Sequence, residues 1–318
     1  MTTFIIRRLL QILLVLVIVT AIVFLMVRLL PGDPILMYMT AQDMEITSRE
    51  QIDQMRHELG LDRPMFIQYF DWLGHVATGD LGRSLINRVN VSEEIRNRVP
   101  ITFHLGVLAF ILSILVGIPM GVIAAVKRGT WIDSLLTSLG NLGITMPIFW
   151  LGILLIYLFG LKLNWLPING YVSPLKDFWA STRSVILPVF CMAVPPIASA
   201  VRLTRSSMLE VLRQDYIRTA RSKGLKERSV IISHAVKNGL IPVVTLKGMS
   251  LAGIVGGSVI IETVFSIPGM GRYAVQGLFA QDYSVVQAVI LVIGAVILFA
   301  NLLVDLTYGW LDPRIRYS

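Results

Sequence analysis

Six long apolar runs dominate this chain, and they constrain its fold more than any other feature. The first, 9–30, is interrupted only by Gln11, Thr20 and Arg28. At about 1.5 Å of rise per residue it reaches roughly 33 Å, enough to cross a hydrocarbon core of about 30 Å. The others fall at 101–126, 134–160, 185–204, 240–261 and 285–307. Only 15% of the residues are charged and 55% are hydrophobic, whereas a soluble domain carries roughly a quarter charged. A soluble fold would have to expose that apolar excess to water, while a membrane accommodates it. The expected fold is an all-α polytopic membrane protein with six transmembrane helices. The first run is too long for the apolar region of a signal peptide, no small-x-small cleavage site follows it, and it reads as a retained helix. The run at 185–204 holds Pro188, Pro195 and Pro196. It is expected to be kinked and packed inside the bundle, because backbone carbonyls freed by proline must be satisfied by protein or a cavity.

Charge placement sets an expected orientation. With the N-terminus in the cytoplasm, the inside segments carry fifteen Lys and Arg, among them Arg7, Arg8, Lys127, Arg128, Arg202, Arg205 and Arg213. The short outside loops carry four: Lys162, Lys176, Arg183 and Arg272. The loop 31–100 exceeds the length to which the positive-inside rule applies, and it holds seven basic and eleven acidic residues. Both termini are therefore expected in the cytoplasm of a cell with an inner membrane. The net charge of +8 sits beside membrane spans and forms no basic stripe of the kind that grips nucleic acid.

Two hydrophilic segments stand out. In 31–100, Thr47-Ser48-Arg49-Glu50 resembles a capping box, Ile52, Met55 and Leu59 suit one helix face, and Gly60 ends it. Phe66, Tyr69, Phe70 and Trp72 form a candidate interfacial patch. The segment reads as a small helical cap outside the membrane. In 206–239, two short helices are expected, 207–223 and 227–238, around a break at Gly224. A basic pair of this kind suits either an anionic membrane surface or a docking site for a partner. The domain plan is thus 1–30 for the N-terminus and first span, 31–100 for the cap, 101–307 for the core with its loop 206–239, and 308–318 for the C-terminus.

No catalytic or metal chemistry is legible. There is no phosphate-binding Gly-x-x-x-x-Gly-Lys-Ser/Thr loop and no serine nucleophile elbow. His57, His75, His104 and His234 are too dispersed for a metal site, and the single Cys191 lies in an apolar run. Charges inside spans, the usual mark of an ion-coupled carrier, are scarce: Lys247 lies in the fifth span, Glu262 and Asp305 at span ends. The energy for transport would then come from another chain. An ion-coupled carrier and a membrane-anchored enzyme are the alternatives. Glycines mark the third span (Gly140, Gly143, Gly152) and the fifth (Gly253, Gly256, Gly257), where they serve either close helix packing or a pathway of variable width. Asn141, Thr145, Pro147, Thr245, Ser250, Gly257, Ser258 and Glu262 are the candidate lining of a translocation path.

The stretch Asp215-Tyr216-Ile217-Arg218-Thr219-Ala220-Arg221-Ser222-Lys223-Gly224-Leu225 resembles the loop signature of ATP-binding-cassette importer permeases of the peptide/nickel branch. The likeness continues through Leu30-Pro31-Gly32-Asp33-Pro34, Leu59-Gly60-Leu61-Asp62-Arg63-Pro64, Gly79-Asp80-Leu81-Gly82-Arg83-Ser84, Pro147-Ile148-Phe149-Trp150-Leu151-Gly152, Glu262-Thr263-Val264-Phe265-Ser266-Ile267-Pro268-Gly269-Met270-Gly271 and Leu311-Asp312-Pro313-Arg314-Ile315-Arg316-Tyr317. The resemblance implies a type I importer permease fold and half of an alternating-access pathway. It further implies pairing with a second homologous permease, most simply as a heterodimer. Two cytoplasmic ATPase subunits and an extracytoplasmic binding protein complete the implied assembly. ATP and magnesium would be held by the ATPases, with no cofactor on this chain. Asp215, Tyr216, Arg218, Thr219, Ala220, Arg221, Lys223, Gly224 and Leu225 would form the helix that couples to an ATPase. Substrates of that branch include dipeptides, oligopeptides, glutathione-like peptides, nickel chelates and some sugars. Arg218 stands where the general importer motif is acidic, Gly224 and Pro242 are further apart than in that motif, and Lys247 stands where a neutral residue is expected.

Overall fold

The computed structural model describes residues 2–28, 53–54, 56–57, 60–84, 86–250 and 259–311, the side chains of 2–5, 27, 249–250 and 303–311 excepted. The capping-box helix expected around 47–59 and the glycine cluster Gly253, Gly256 and Gly257 lie outside the described residues or at their fringe. Apart from a lone bridge between Arg83 and Asn90, the described residues form helices and their connections. In chain order these are α1 (Thr2–Arg28), α2 (Met65–Ala77), α3 (Val91–Val126), α4 (Trp131–Thr145) and α5 (Ile148–Leu155), which runs on as a π-helix over Ile156–Lys162. There follow α6 (Phe178–Val211), α7 (Asp215–Ser222), α8 (Glu227–Gly239, π-helical in its middle), α9 (Ile241–Ser250), α10 (Val259–Val264), α11 (Met270–Phe279) and α12 (Tyr283–Leu311).

Four of these are each long and apolar enough to span a bilayer: α1, α3, α6 and α12. Two bent pairs bring the number to six. The first pair falls on the run 134–160, which is sharply bent at its middle. α4 and α5 meet at 104° because Pro147 has no N–H to continue the helix and forces the residue before it out of the helical region. Met146 accordingly sits at φ −72°, ψ 126°. The second pair, α8 with α9, bends by 42° at Leu240. In α6 the helix continues without a break through Pro188, Pro195 and Pro196. Its most apolar stretch is 61% buried inside the chain, against 17–33% for the other three long helices. It is the packed central helix that its prolines required. Asp177 caps its first turn, accepting from the Ala180 N–H at 2.9 Å.

The chain divides into two compact units, Met1–Thr102 with Pro268–Ser318, and Phe103–Ile267. In the first, α1 packs along α12, and Val91, Ile95, Met270, Tyr273, Val285, Ala288 and Val289 form the core where α3 begins beside α11 and α12. The Gly79–Ser84 motif is fastened here. The Ser84 hydroxyl donates to the buried carboxylate of Asp282, just ahead of α12, and the Asn87 N–H donates back to Ser84 Oγ at 2.9 Å. Thr102 Oγ1 accepts from the Met270 N–H at 2.8 Å.

In the second unit α3, α4 and α6 approach closely. A Cβ on Gly117 would lie 2.6 Å from Ala200 Cβ, and one on Gly121 would lie 2.6 Å from Thr204 Cβ and 2.8 Å from the Val201 carbonyl. Gly117 and Gly121 are therefore a Gly-x-x-x-Gly contact that lets α3 lie backbone to backbone on α6. Gly140 and Gly143 of α4 face α6, and Gly152 of α5 faces Val264 and Phe265. The glycines of the third span thus serve packing.

Candidate functional site

The segment after α6 is built on a small apolar core of its own. The reading of 207–223 as one helix is corrected: α6 runs to Val211, the chain turns over 212–214, and α7 is a separate two-turn helix. Ile217 and Ala220, three residues apart, are buried against Ala125, Met208, Val230 and Ala235. That places Ala220 toward the chain's own interior. The opposite face of α7, Asp215, Tyr216, Arg218, Thr219 and Arg221, is exposed, as are Lys223, Gly224 and Leu225 in the turn that follows.

Gly224 sits at φ +74°, a left-handed conformation that glycine adopts freely and a side chain resists. No atom lies within 4 Å of where its Cβ would be, so backbone conformation is what requires glycine there. An Arg221–Glu227 pair straddles the turn, with guanidinium donors at 3.1 and 2.7 Å from the two carboxylate oxygens. This pairing holds the Glu227 carboxyl below its ordinary range. The amide of Asn238 donates to Tyr216 Oη at 3.0 Å, and Ser207 Oγ donates to the Gly239 carbonyl at 2.7 Å. The result is a two-helix platform, seated on apolar contacts and cross-linked by hydrogen bonds, that presents a polar outward face with both signs of charge.

Next to it, α4 and α6 enclose a cavity of about 630 Å³, lined among others by Thr137, Asn141, Arg202, Arg205, Ser206 and Arg213. Arg205, one of its lining residues, makes a bidentate ion pair. Arg205 Nε and Nη2 donate to the two oxygens of Asp133 at 2.7 and 2.8 Å, and Asp133 also accepts from the Gly129 N–H at 3.0 Å and from Thr137 Oγ1 at 3.3 Å. Of the expected path residues that are described, only Asn141 lines this cavity. Thr145 and Pro147 are exposed further along, and the Thr145 hydroxyl donates back to the Asn141 carbonyl at 3.2 Å. Ser134 and Ser138, which the sequence reading passed over, share their face. At 100° per residue Ser134, Ser138, Asn141 and Thr145 lie within about 60° of one another, and all four are exposed. They form a polar stripe on a helix whose adjoining face carries the exposed Leu135, Leu139 and Leu142.

The remaining predicted residues are dispersed. Thr245 of α9 is half-buried, and its hydroxyl donates to the Ile241 carbonyl at 3.0 Å. Glu262 is fully buried in α10. The Ser250 side chain, Gly257 and Ser258 lie outside the described residues. Lys247, whose place the sequence left open, is buried and donates to Ser113 Oγ at 3.1 Å and to the Pro196 carbonyl at 2.8 Å. It braces α9 against α3 and α6. Among the described residues no group of three His, Cys, Asp or Glu is set to hold a metal.

A six-span helical membrane protein with such a loop platform has the fold of an ABC importer permease. The fold matches a chain of the inward-facing MetNI methionine ABC transporter with a TM-score of 0.51 at 15% identity, covering 67% of this chain and 95% of that one. Residues 117–317 match the binding-protein-dependent transport system inner membrane component, and residues 1–106 match the N-terminal part of such membrane components. The chain belongs to this family, and it is a transport subunit of the inner membrane without catalytic function of its own. It is 42% identical to the dipeptide transport system permease protein DppB of Escherichia coli (strain K12), and 45% identical to a provisionally named peptide transport system permease protein of Brucella abortus (strain 2308). Both alignments cover the whole of each chain.

Proposed function

We propose that this chain is one of two membrane-spanning subunits of an ATP-driven peptide importer, with both termini in the cytoplasm. The peptide substrate is supported by full-length relatives named for peptide and dipeptide transport. A second, homologous permease completes the path, two cytoplasmic ATPase subunits drive it, and an extracytoplasmic binding protein delivers substrate. The cap and the Glu262–Gly271 segment receive that protein. The polar stripe of α4 (Ser134, Ser138, Asn141, Thr145) faces the path, because hydroxyl and amide groups exposed at membrane depth are costly against lipid and hydrate a peptide without holding it. Alternating access moves this wall.

The outward face of α7 carries the coupling reading. A helix fixed from beneath by Ile217 and Ala220 can transmit force from a partner that grips Asp215, Tyr216, Arg218 and Thr219. The test is ATP hydrolysis and uptake by the complete transporter in liposomes. Arg218→Glu reverses a charge on the outward face while leaving the internal packing intact. It is expected to preserve assembly and basal ATP hydrolysis while removing the stimulation by peptide-loaded binding protein. Ala220→Glu, in contrast, buries a carboxylate beneath α7 and is expected to unseat the platform and prevent ATPase association. Full stimulation in Arg218→Glu would overturn the assignment of this face.

A further inference from the structure

We infer that α2 lies in the outer leaflet of the membrane, with one apolar face against α1 and a second against lipid acyl chains. Of its thirteen residues nine are apolar, yet none is buried. On a helical wheel the helix divides into three sectors. Tyr69, Trp72 and Val76 turn toward α1. Phe66, Phe70 and Ala77 form a second apolar sector, in which the two phenylalanines are 64% and 65% exposed. Gln68, Asp71 and His75 form the third. This polar sector is tied to the connecting chain, with Asp71 paired to Arg63 at 3.1 Å and His75 beside Asp80 at 3.6 Å. A helix with a protein face, an apolar face and a narrow polar face suits a position flat at a membrane boundary.

Depth decides which medium meets the second apolar sector. Tyr69 Oη is 2.9 Å from Thr20 Oγ1, and the Tyr69 and Trp72 rings lie 5.6 and 6.1 Å from that of Phe24. The apolar span of α1 runs to Met26. Thr20 is six residues short of that end, or about 9 Å below it at the helical rise per residue. A helix whose aromatic side chains reach from Phe24 down to Thr20 lies at the membrane boundary with its apolar faces below the headgroups. Between Thr20 and the end of that span α1 itself exposes Ile22, Leu25 and Met26. A binding protein arriving from water meets the polar sector of α2, whereas Phe66 and Phe70 continue the apolar surface of α1.

The test is site-directed spin labelling of the complete transporter in liposomes of phosphatidylethanolamine and phosphatidylglycerol, in a Cys191→Ala background. Nitroxides are placed at Phe66→Cys, Phe70→Cys and Ala77→Cys, with Leu25→Cys as the lipid reference and Asp71→Cys as the water reference. Power saturation compares relaxation by oxygen, which concentrates in lipid, with relaxation by a soluble nickel chelate. The oxygen-to-nickel ratio at the three sector positions is expected to equal that at Leu25 and to exceed that at Asp71 several-fold. Preferential relaxation by nickel would place the sector in water, and shielding from both relaxants would place it under another protein; either result overturns the inference. Three positions share the sector, so loss of one variant leaves the measurement intact. The ratio is indifferent to which leaflet is involved, so a reversed orientation of the chain would not be mistaken for failure here.

Discussion

Removing the guanidinium of Arg205 from the wall of the α4–α6 cavity is the perturbation whose cost the structure defines best. Arg205→Met keeps the length and most of the apolar contact of the side chain but deletes both hydrogen bonds to Asp133. The Asp133 side chain is 7% exposed and that of Arg205 is 28% exposed, so the carboxylate cannot turn to water in compensation. Stranding one member of a buried pair costs about 3–5 kcal/mol where nothing else satisfies it. Here the Gly129 N–H and the Thr137 hydroxyl remain, and the partly exposed arginine has water as an alternative. Both facts move the expected cost to about 2–3 kcal/mol. Asp133→Asn, which leaves Arg205 able to reach solvent, should cost about 1–2 kcal/mol. The double variant should be more stable than the sum of the single costs implies, with a coupling of about 1–2 kcal/mol. Thermal unfolding of the purified transporter in detergent, read for all four proteins of the cycle, measures it. Strictly additive costs would refute the claim that this pair fastens α4 to α6, and would mean that the glycine contacts alone set their approach.

The other packing and hydrogen-bond assignments are open to similar checks. Gly121→Val should destabilise by about 1–3 kcal/mol, since its side chain must displace Thr204 and the Val201 carbonyl; Gly140→Ala, whose nearest neighbour would be at 3.6 Å, should be tolerated, and equal melting points for both would refute the close approach of α3 to α6. Ser84→Ala removes a donor from buried Asp282 and should cost about 1–3 kcal/mol, read as faster amide hydrogen exchange over residues 80–90; unchanged exchange there would show that the motif is not held through Ser84.

Much of the platform was legible in the chain itself. Gly224 between two polar, helix-forming stretches announces a turn, and a left-handed turn is a local property that sequence records directly. The long apolar runs likewise announce membrane spans, because crossing a bilayer needs only length and hydrophobicity. Direction was harder to read. Ala220 was grouped with the residues of the coupling helix without a direction, and it points inward, since a two-turn helix has room for one apolar stripe and Ile217 already fixes where that stripe lies. The bend in the third span was hard to read as well. Pro147 was noted as a path residue, but three prolines in α6 left that helix whole while one in the third span turned the chain by 104°. What differs is the conformation of the residue before each proline, extended at Met146 and helical throughout α6, and the presence of a proline alone does not say which will be adopted.

The sequence by itself therefore determined the medium, the apolar runs that can cross it and the turn at Gly224, all of which follow from runs and turns a few residues long. Tertiary structure alone decided that Asp133 meets Arg205 across 72 positions, that Lys247 braces three helices, and that Gly117 and Gly121 set how closely α3 lies on α6. Those are contacts between residues far apart in the chain, and they exist only once backbone geometry has fixed which faces of the helices meet.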